Sequence, residues 1–204
     1  MLELEFDWVQ FMQLREYLRR ETRVLHRQVE ALFERVDIAT PVGLHRFLLA
    51  HHAAVAPIEN RLAAVSAPWA DCWPYQLTSL LRRDLETPNE SWQLTTLPTK
   101  QLGGLATAHP LGLCYVLGGS RLGARVLLRR LSDGHGAGSE PPAYLAQAPD
   151  DEIWARTERL LATPAADAAS RVEILNAAET AFTIFGHAVA WTDFVQERAD
   201  ALAV

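Results

Sequence analysis

The stretch LREYLRRETRVLHRQVEALFERV, residues 14–36, repeats apolar residues at steps of three, four and seven. This spacing puts the apolar side chains on one face of an α-helix, and it predicts a single helix over the whole stretch. Thr40-Pro41 predicts the start of a second helix that continues through Val65 with a kink at Pro57. Further helices are predicted over about 75–86, 100–131, 150–162 and 165–198. No strand pattern extends beyond a few residues, so the predicted fold class is all-α, a single-domain helical bundle.

Length and composition indicate one domain of a soluble protein. The 204 residues can fill one core, so residues 1–204 are predicted to form one domain with residues 1–13 as an N-terminal extension. A formal net charge of −6 argues against nucleic acid as a partner. The first residues lack a signal-peptide pattern, and no uninterrupted apolar stretch is long enough to predict a membrane span. We therefore expect a cytoplasmic protein without a membrane span.

His26 lies at the rim of the apolar stripe of the first predicted helix, with hydrocarbon on one side and arginines on the other. That boundary suits a flat, mostly apolar ligand with a central metal and anionic arms, and haem is such a ligand. Glu30, one turn further, could lie near the far ring nitrogen and help to fix its tautomer. The alternative is that His26 is a boundary residue in a structural hydrogen bond.

Glycines mark the second unusual segment, LGGSRLGARVL at residues 117–127, although glycine costs roughly 1 kcal/mol in a helix interior. On a helical wheel Gly112, Gly119 and Gly123 fall within about 40° of one another, with Val116 and Val126 beside them. Either another helix approaches this strip closely, or a ligand lies against the bare backbone. Ser120, near the strip, could help to hold a water there, and Gly118, on another side, could permit a bend.

Together the two segments resemble the haem oxygenase family. The positions of that family's proximal helix, which carries the ligand histidine, are filled by Leu18, Arg19, Thr22, His26 and Glu30. YVLGGSRLGARVL resembles its distal helix, in which two glycines four residues apart lie over the haem, and Gly119 and Gly123 match that pair. The likeness extends over about residues 14–195, includes Thr-Ala-Phe at 180–182, and is closest to the bacterial branch, some members of which are encoded beside bacteriophytochromes.

The resemblance implies a haem-oxygenase-like fold and a defined activity: oxidative cleavage of haem to biliverdin with release of carbon monoxide and ferrous iron. Haem would be both cofactor and substrate, oxygen the co-substrate, and a reductase or ferredoxin the external electron donor. A bacteriophytochrome could receive the biliverdin. His26 would be the axial iron ligand, and the distal side would be formed by Gly119, Ser120 and Gly123. The remaining implied haem contacts are Arg19, Thr22, Arg23, Glu30, Tyr115, Val116 and Phe182.

Two departures from the family pattern lie in the distal segment. Bacterial members commonly have glutamate where this chain has Gly118, and Ser120 stands roughly where mammalian members have an aspartate that orders water. These departures favour an alternative, a non-catalytic haem carrier or sensor on the same fold. The basic residue that binds a propionate near the C-terminus has two candidates by position, Arg156 and Arg159.

Other side chains support fewer hypotheses. Cys72 and Cys114 give neither a disulfide framework nor a metal-site spacing, although Cys114 is the only central candidate for a thiaminase-like enzyme. No histidine follows a glutamate by three residues, which excludes a di-iron carboxylate bundle. His51 and His52 are expected in surface or packing roles and His109 at a helix start. His135 is expected in a solvated loop.

Overall fold

A computed structural model of the chain describes residues 13–86, 96–134, 140–148, 152–162 and 168–202. These ranges contain α-helices and short 3-10 turns but no strand, which confirms the predicted all-α fold. The helices are α1 (Leu14–Glu21), α2 (Arg23–Phe33), α3 (Pro41–Ala63), α4 (Leu77–Leu85), α5 (Pro110–Gly134), α6 (Ala143–Ala146), α7 (Ile153–Ala162) and α8 (Ala168–Leu202). The predicted N-terminal extension, Gln13 apart, and His135 lie outside the described residues.

The prediction of one helix over residues 14–36 was wrong, because the structure divides that stretch at Thr22. The backbone of Thr22 has φ −84° and ψ 0°, and its hydroxyl donates to the Leu18 carbonyl at 2.7 Å. A β-branched residue that bonds back to the preceding turn bends a helix in this way. Backbone hydrogen bonds from Thr22 to Leu18 and from His26 to Thr22 continue across the bend. As a result α2 leaves the direction of α1 one turn before His26.

The predicted helix over 100–131 begins about ten residues later than expected. Two 3-10 turns, Thr99–Leu102 and Leu105–Thr107, precede it, and Gly104 between them has a φ of +79° that favours glycine. The helix begins at Pro110, and the Nδ1 of His109 accepts from the backbone N–H of Leu111 at 3.2 Å. His109 therefore lies at a helix start, as predicted, and α5 continues to Gly134.

The long helix α8 is the centre of the bundle. It packs against α2, α3 and α5, and α5 also packs against α7. The core between them is filled by fully buried side chains, among them Leu18, Phe47, Ala54, Ile58, Leu113, Leu117 and Phe185. In contrast, α2 has no buried residue and contacts the core only through half-buried side chains such as Leu25 and Phe33. Its polar face is therefore open to solvent.

Within the described residues one helix, Pro110–Ser132 in α5, is long and apolar enough to cross a membrane by length and composition, with a mean hydropathy of 1.3. Half of the apolar window is buried against other helices. The core helix of a soluble protein has the same properties, so α5 is weak evidence for a membrane span.

Candidate functional site

The side chain of His26 is 55% exposed on α2, and its two ring nitrogens have different surroundings. Nδ1 lies 3.2 Å from Oε2 of Glu30, one turn along the helix. The ring meets Phe182 of α8 edge-on, with centroids 5.6 Å apart and an interplanar angle of 84°. When Nδ1 of a neutral imidazole donates to a carboxylate, the lone pair of Nε2 can bind a metal. His26 thus has an accessible, oriented ring of the kind that an axial ligand requires.

Thr22, at the junction of α1 and α2, lies beside Tyr115 of α5. Thr22 is 1% exposed, and its side chain is near enough to the Tyr115 hydroxyl to act as its hydrogen-bond partner. Burial raises the pKa of Tyr115, and this hydrogen bond together with the charges of Arg15 and Arg19 opposes the rise. His26 follows Thr22 by one helical turn, and Gly119 follows Tyr115 by one turn. The contact between Thr22 and Tyr115 therefore lies one helical turn from His26 and one helical turn from Gly119.

The glycines of α5 fall into two groups according to what a Cβ would meet. A methyl group on Gly112 would collide with the Ile174 carbonyl and come within 2.7 Å of the Ala177 Cβ, so this glycine permits close packing on α8. A methyl group on Gly118 would collide with the Thr157 hydroxyl, so this glycine permits close packing on α7. The close-packing interpretation therefore applies to these two positions.

Gly119 and Gly123 have no such neighbours. The nearest atom to a Cβ on Gly119 is in the Trp154 ring at 4.0 Å, and none lies within 4 Å of a Cβ on Gly123. Next to them Leu122 and Val126 are exposed apolar side chains. We call Gly119, Leu122, Gly123 and Val126 the bare strip of α5. It is an apolar helix surface that no described part of the chain covers.

Trp154 and two arginines of α1 border the site. The Trp154 ring lies 6.4 Å from the Tyr115 ring, and the Arg15 guanidinium lies over Trp154 at 5.5 Å. Arg15 also forms an ion pair with Glu158 at 2.8 Å. Arg19 is exposed. A carboxylate bound near Tyr115 would therefore meet positive charge.

The other predicted contacts occupy different environments. Arg23 is exposed on α2, whereas Val116 and Phe182 are 5% and 6% exposed and belong to the core. The guanidinium of Arg156 donates to the Asp71 carbonyl and so holds the segment between α3 and α4. Arg159, the second candidate for a propionate, is exposed on α7.

Ser120, which the sequence suggested as a holder of a distal water, is half-buried on α5. Its hydroxyl donates to the Leu117 carbonyl at 2.7 Å and lies beside the buried Tyr144 hydroxyl. Burial raises the pKa of Tyr144, while the nearby Arg121 and Ser120 lower it. The Ser120 side chain is therefore already hydrogen-bonded within the protein.

Beneath this side of α5 is a buried polar cluster that sequence reasoning missed. Arg121 is 0% exposed, donates to the Tyr144 carbonyl at 2.8 Å and lies 4.5 Å over the Tyr144 ring. His51, buried among aromatic rings, donates from Nδ1 to the Phe47 carbonyl at 3.0 Å, and burial lowers its pKa to about 4. Arg121 lies four residues after Leu117 and three before Ala124, which places it inside the apolar stripe of α5. This spacing could have predicted its burial.

A metal held by several protein ligands is not indicated, because the described ranges contain no group of three or more His, Cys, Asp or Glu that could hold an ion. Haem iron differs in needing only one axial side chain from the protein. No protein-family model, curated protein or solved structure matches the chain.

Proposed function

We propose that the protein is a haem oxygenase of the bacterial type, which cleaves haem to biliverdin and releases carbon monoxide and ferrous iron. The observation that carries this proposal is the bare backbone of Gly119 and Gly123. These glycines serve no packing purpose in the described structure, and they lie on the helix that the Thr22–Tyr115 contact connects to exposed His26. A flat ligand bound between α2 and α5 accounts for both features.

The residues present fit haem in three respects. His26 has an accessible Nε2, since Glu30 lies beside Nδ1. The bare strip supplies apolar surface for the macrocycle, and buried Phe182 supports the His26 ring from the core. Arg19 and Arg23, both exposed and both within seven residues of His26 in the sequence, would supply cations for the two propionates.

In this proposal each group of the chain has a separate task. Glu30 holds the imidazole in one orientation, which keeps Nε2 directed at the iron. The missing side chains at Gly119 and Gly123 let the backbone approach the bound ligand and leave room for a diatomic molecule. Arg19 and Arg23 would bind the propionates and so hold the macrocycle in one rotation.

When bound, haem supplies the redox chemistry, because it activates oxygen and is itself the molecule oxidised. The electrons come from an external donor, a reductase or a ferredoxin. The proposal also includes a cytoplasmic location and delivery of biliverdin to a bacteriophytochrome.

A second candidate, a haem carrier or sensor without turnover, is favoured by the chemistry of α5. Residues 110–132 contain no Asp or Glu, and the Ser120 hydroxyl donates to the Leu117 carbonyl at 2.7 Å. A glutamate in place of Gly118 would collide with Thr157, so packing explains why the acid of bacterial relatives cannot stand there. A carboxylate that orders water on the distal side is therefore missing from this helix.

A hemin titration of the wild type, His26→Ala and the control His187→Ala tests the proposal. We expect a histidine-type Soret band in the wild type and the control, which also loses an exposed histidine. The band should be lost or altered in His26→Ala and restored by added imidazole, which separates loss of the ligand from misfolding. A reductant and air should then replace the haem spectrum of the wild type with that of biliverdin.

The outcomes separate the two candidates. A haem complex that survives the reductant and oxygen supports the carrier or sensor. Absence of haem binding refutes both functions, and an unchanged spectrum in His26→Ala refutes the assignment of the axial ligand.

A further inference from the structure

The two cysteines of the chain, far apart in sequence, lie against each other in the structure. Cys72 belongs to the non-helical segment 64–76 between α3 and α4, and Cys114 belongs to α5. Sγ of Cys114 lies 3.9 Å from the Cys72 carbonyl oxygen, and the two thiols are close enough to shift each other's pKa. Both are free thiols. Because the chain contains two cysteines in all, this pair has no competing intramolecular partner.

The environments of the two thiols are unequal. Both thiols are buried, Cys114 at 0% and Cys72 at 4% exposed. Cys114 lies on a core helix, whereas Cys72 lies in an irregular segment next to the exposed Asp71, whose carbonyl binds the Arg156 guanidinium. The hydrogen bond from Cys114 lowers the pKa of Cys72, and the same bond together with burial raises the pKa of Cys114. Thiolates near positive charge are the reactive ones. The thiol at position 72, in the irregular segment whose Asp71 carbonyl binds the Arg156 guanidinium, is therefore the better placed of the two to react.

We propose that Cys72 and Cys114 are a reversible oxidation site, which reacts with hydroperoxides and closes to an intramolecular disulfide. The contact between the two thiols and their position at a junction of an irregular segment with a core helix carry this proposal, which does not depend on the function proposed above. An oxidant reaches Cys72 when the segment opens locally, because that segment lacks the hydrogen-bond ladder of a helix.

The reaction balances with hydrogen peroxide as the oxidant. The Cys72 thiolate attacks one peroxide oxygen, the O–O bond breaks, and the departing hydroxide takes a proton to form water. The Cys114 thiol then attacks the sulfur of the resulting sulfenic acid, and a second water leaves as the S–S bond forms. In total two thiols are oxidised by two electrons, and one peroxide is reduced to two waters.

The product would fix the segment 64–76 to α5 at the residue before Tyr115. Tyr115 is the residue that joins α5 to Thr22. Oxidation would therefore stiffen the end of α5 from which the bare strip extends. A dithiol reductant such as dithiothreitol would reverse the change.

The test treats the folded full-length protein with hydrogen peroxide and then blocks the remaining thiols with an alkylating reagent. We expect the wild type to lose both alkylation sites and two hydrogens of mass, to stay monomeric on a non-reducing gel, and to recover both thiols with dithiothreitol. Proteolysis should yield one linked peptide pair that contains both cysteines.

Two variants test the order of the steps. Cys114→Ser should accumulate a sulfenic acid that dimedone traps at Cys72, and Cys72→Ser should leave Cys114 unmodified at the same peroxide dose. Both thiols remaining alkylatable in the folded wild type, or a disulfide that links two chains, would overturn the proposal. A disulfide that forms only after the protein is unfolded in urea would also overturn the proposal. This outcome is measured on the wild type alone and so does not depend on the folding of a variant.

Discussion

The glycines of helix α5 divide by their neighbours into a packed pair, Gly112 and Gly118, and a bare pair, Gly119 and Gly123, and glycine serves a different purpose in each. We call the two sets of positions the packed side and the bare side of α5. On the packed side Gly112 and Gly118 let α8 and α7 approach so closely that a methyl group would collide with them. On the bare side Gly119 and Gly123 meet nothing closer than the Trp154 ring. A helical glycine costs about 1 kcal/mol relative to alanine. Close packing offsets that cost on the packed side, whereas within the described structure nothing offsets it on the bare side.

The purpose of a glycine in a helix therefore follows from its neighbours in the structure and not from its spacing in the sequence. Gly112 shares a face with Gly119 and Gly123 on a helical wheel, and the sequence grouped the three together. The position of α8 separates them, because α8 covers α5 at Gly112 and leaves it at Gly123. A strip that begins as a packing surface thus ends as an open one.

The largest effect is expected for Gly112→Ala on the packed side. The new methyl group would meet the backbone of Ile174 and Ala178, which cannot rotate away as a side chain could. We expect a loss of about 3 kcal/mol in the free energy of unfolding, the upper range for overpacking a core. Urea denaturation followed by circular dichroism measures it, and stability equal to that of the wild type would contradict the packing assignment.

A smaller effect in the packed core is a dependence of stability on pH through His51 of α3. The pKa of its ring falls from an ordinary 6.5 to about 4 in the folded protein, first because of burial. The folded state therefore keeps His51 neutral while the unfolded chain binds a proton below pH 6.5. Stability is thus complete above pH 6.5 and declines as the pH falls toward 4. Between pH 7.5 and 5 the loss from this group is about 2 kcal/mol.

The measurement is the free energy of unfolding in urea at both pH values for the wild type and His51→Phe. The variant cannot take up the proton, so its loss of stability over the same interval should be smaller by about that amount. The comparison between two pH values cancels any repacking penalty of the substitution itself. An equal pH dependence in both proteins would show that His51 is not buried as the structure places it.

Periodicity predicted most of the fold correctly because the helices are amphipathic or have clear ends. Thr40 begins α3 as predicted, with its hydroxyl accepting from the Gly43 N–H at 3.1 Å. The break at Thr22 was missed because its cause is a hydrogen bond to Leu18 that the apolar pattern does not record. The start of α5 was placed too early because the 3-10 turns before Pro110 carry apolar residues at similar steps.

The candidate site was predictable only in part. The sequence identified His26, Glu30 and the paired glycines, since each depends on spacing within one helix. It did not predict the contact between Thr22 and Tyr115 or that between Cys72 and Cys114, because both join segments about 40 residues or more apart and depend on how the helices pack. The buried charge of Arg121 was missed for the same reason.

Gly123→Leu is expected to have the smallest effect on stability. It also distinguishes the two sides of α5 most directly. No atom of the other described elements lies within 4 Å of the new Cβ, and leucine is the better helix former, so stability should stay equal or rise by up to about 1 kcal/mol. If haem lies against this backbone, the added side chain must displace it. We then expect the dissociation constant for hemin to rise about tenfold or more, equivalent to about 1.4 kcal/mol.

Arg129→Leu is the matched control, because it adds the same side chain to α5 at an exposed position that is about 120° around the helix from Gly123. Hemin titration of both variants, beside their urea curves, gives the answer. Weaker binding in Gly123→Leu alone, with no loss of stability, would mean that the bare side of α5 is kept bare for a ligand. Equal hemin affinity in both variants would mean that haem does not contact Gly123. The glycine would then have no purpose in haem binding, just as it has none in packing.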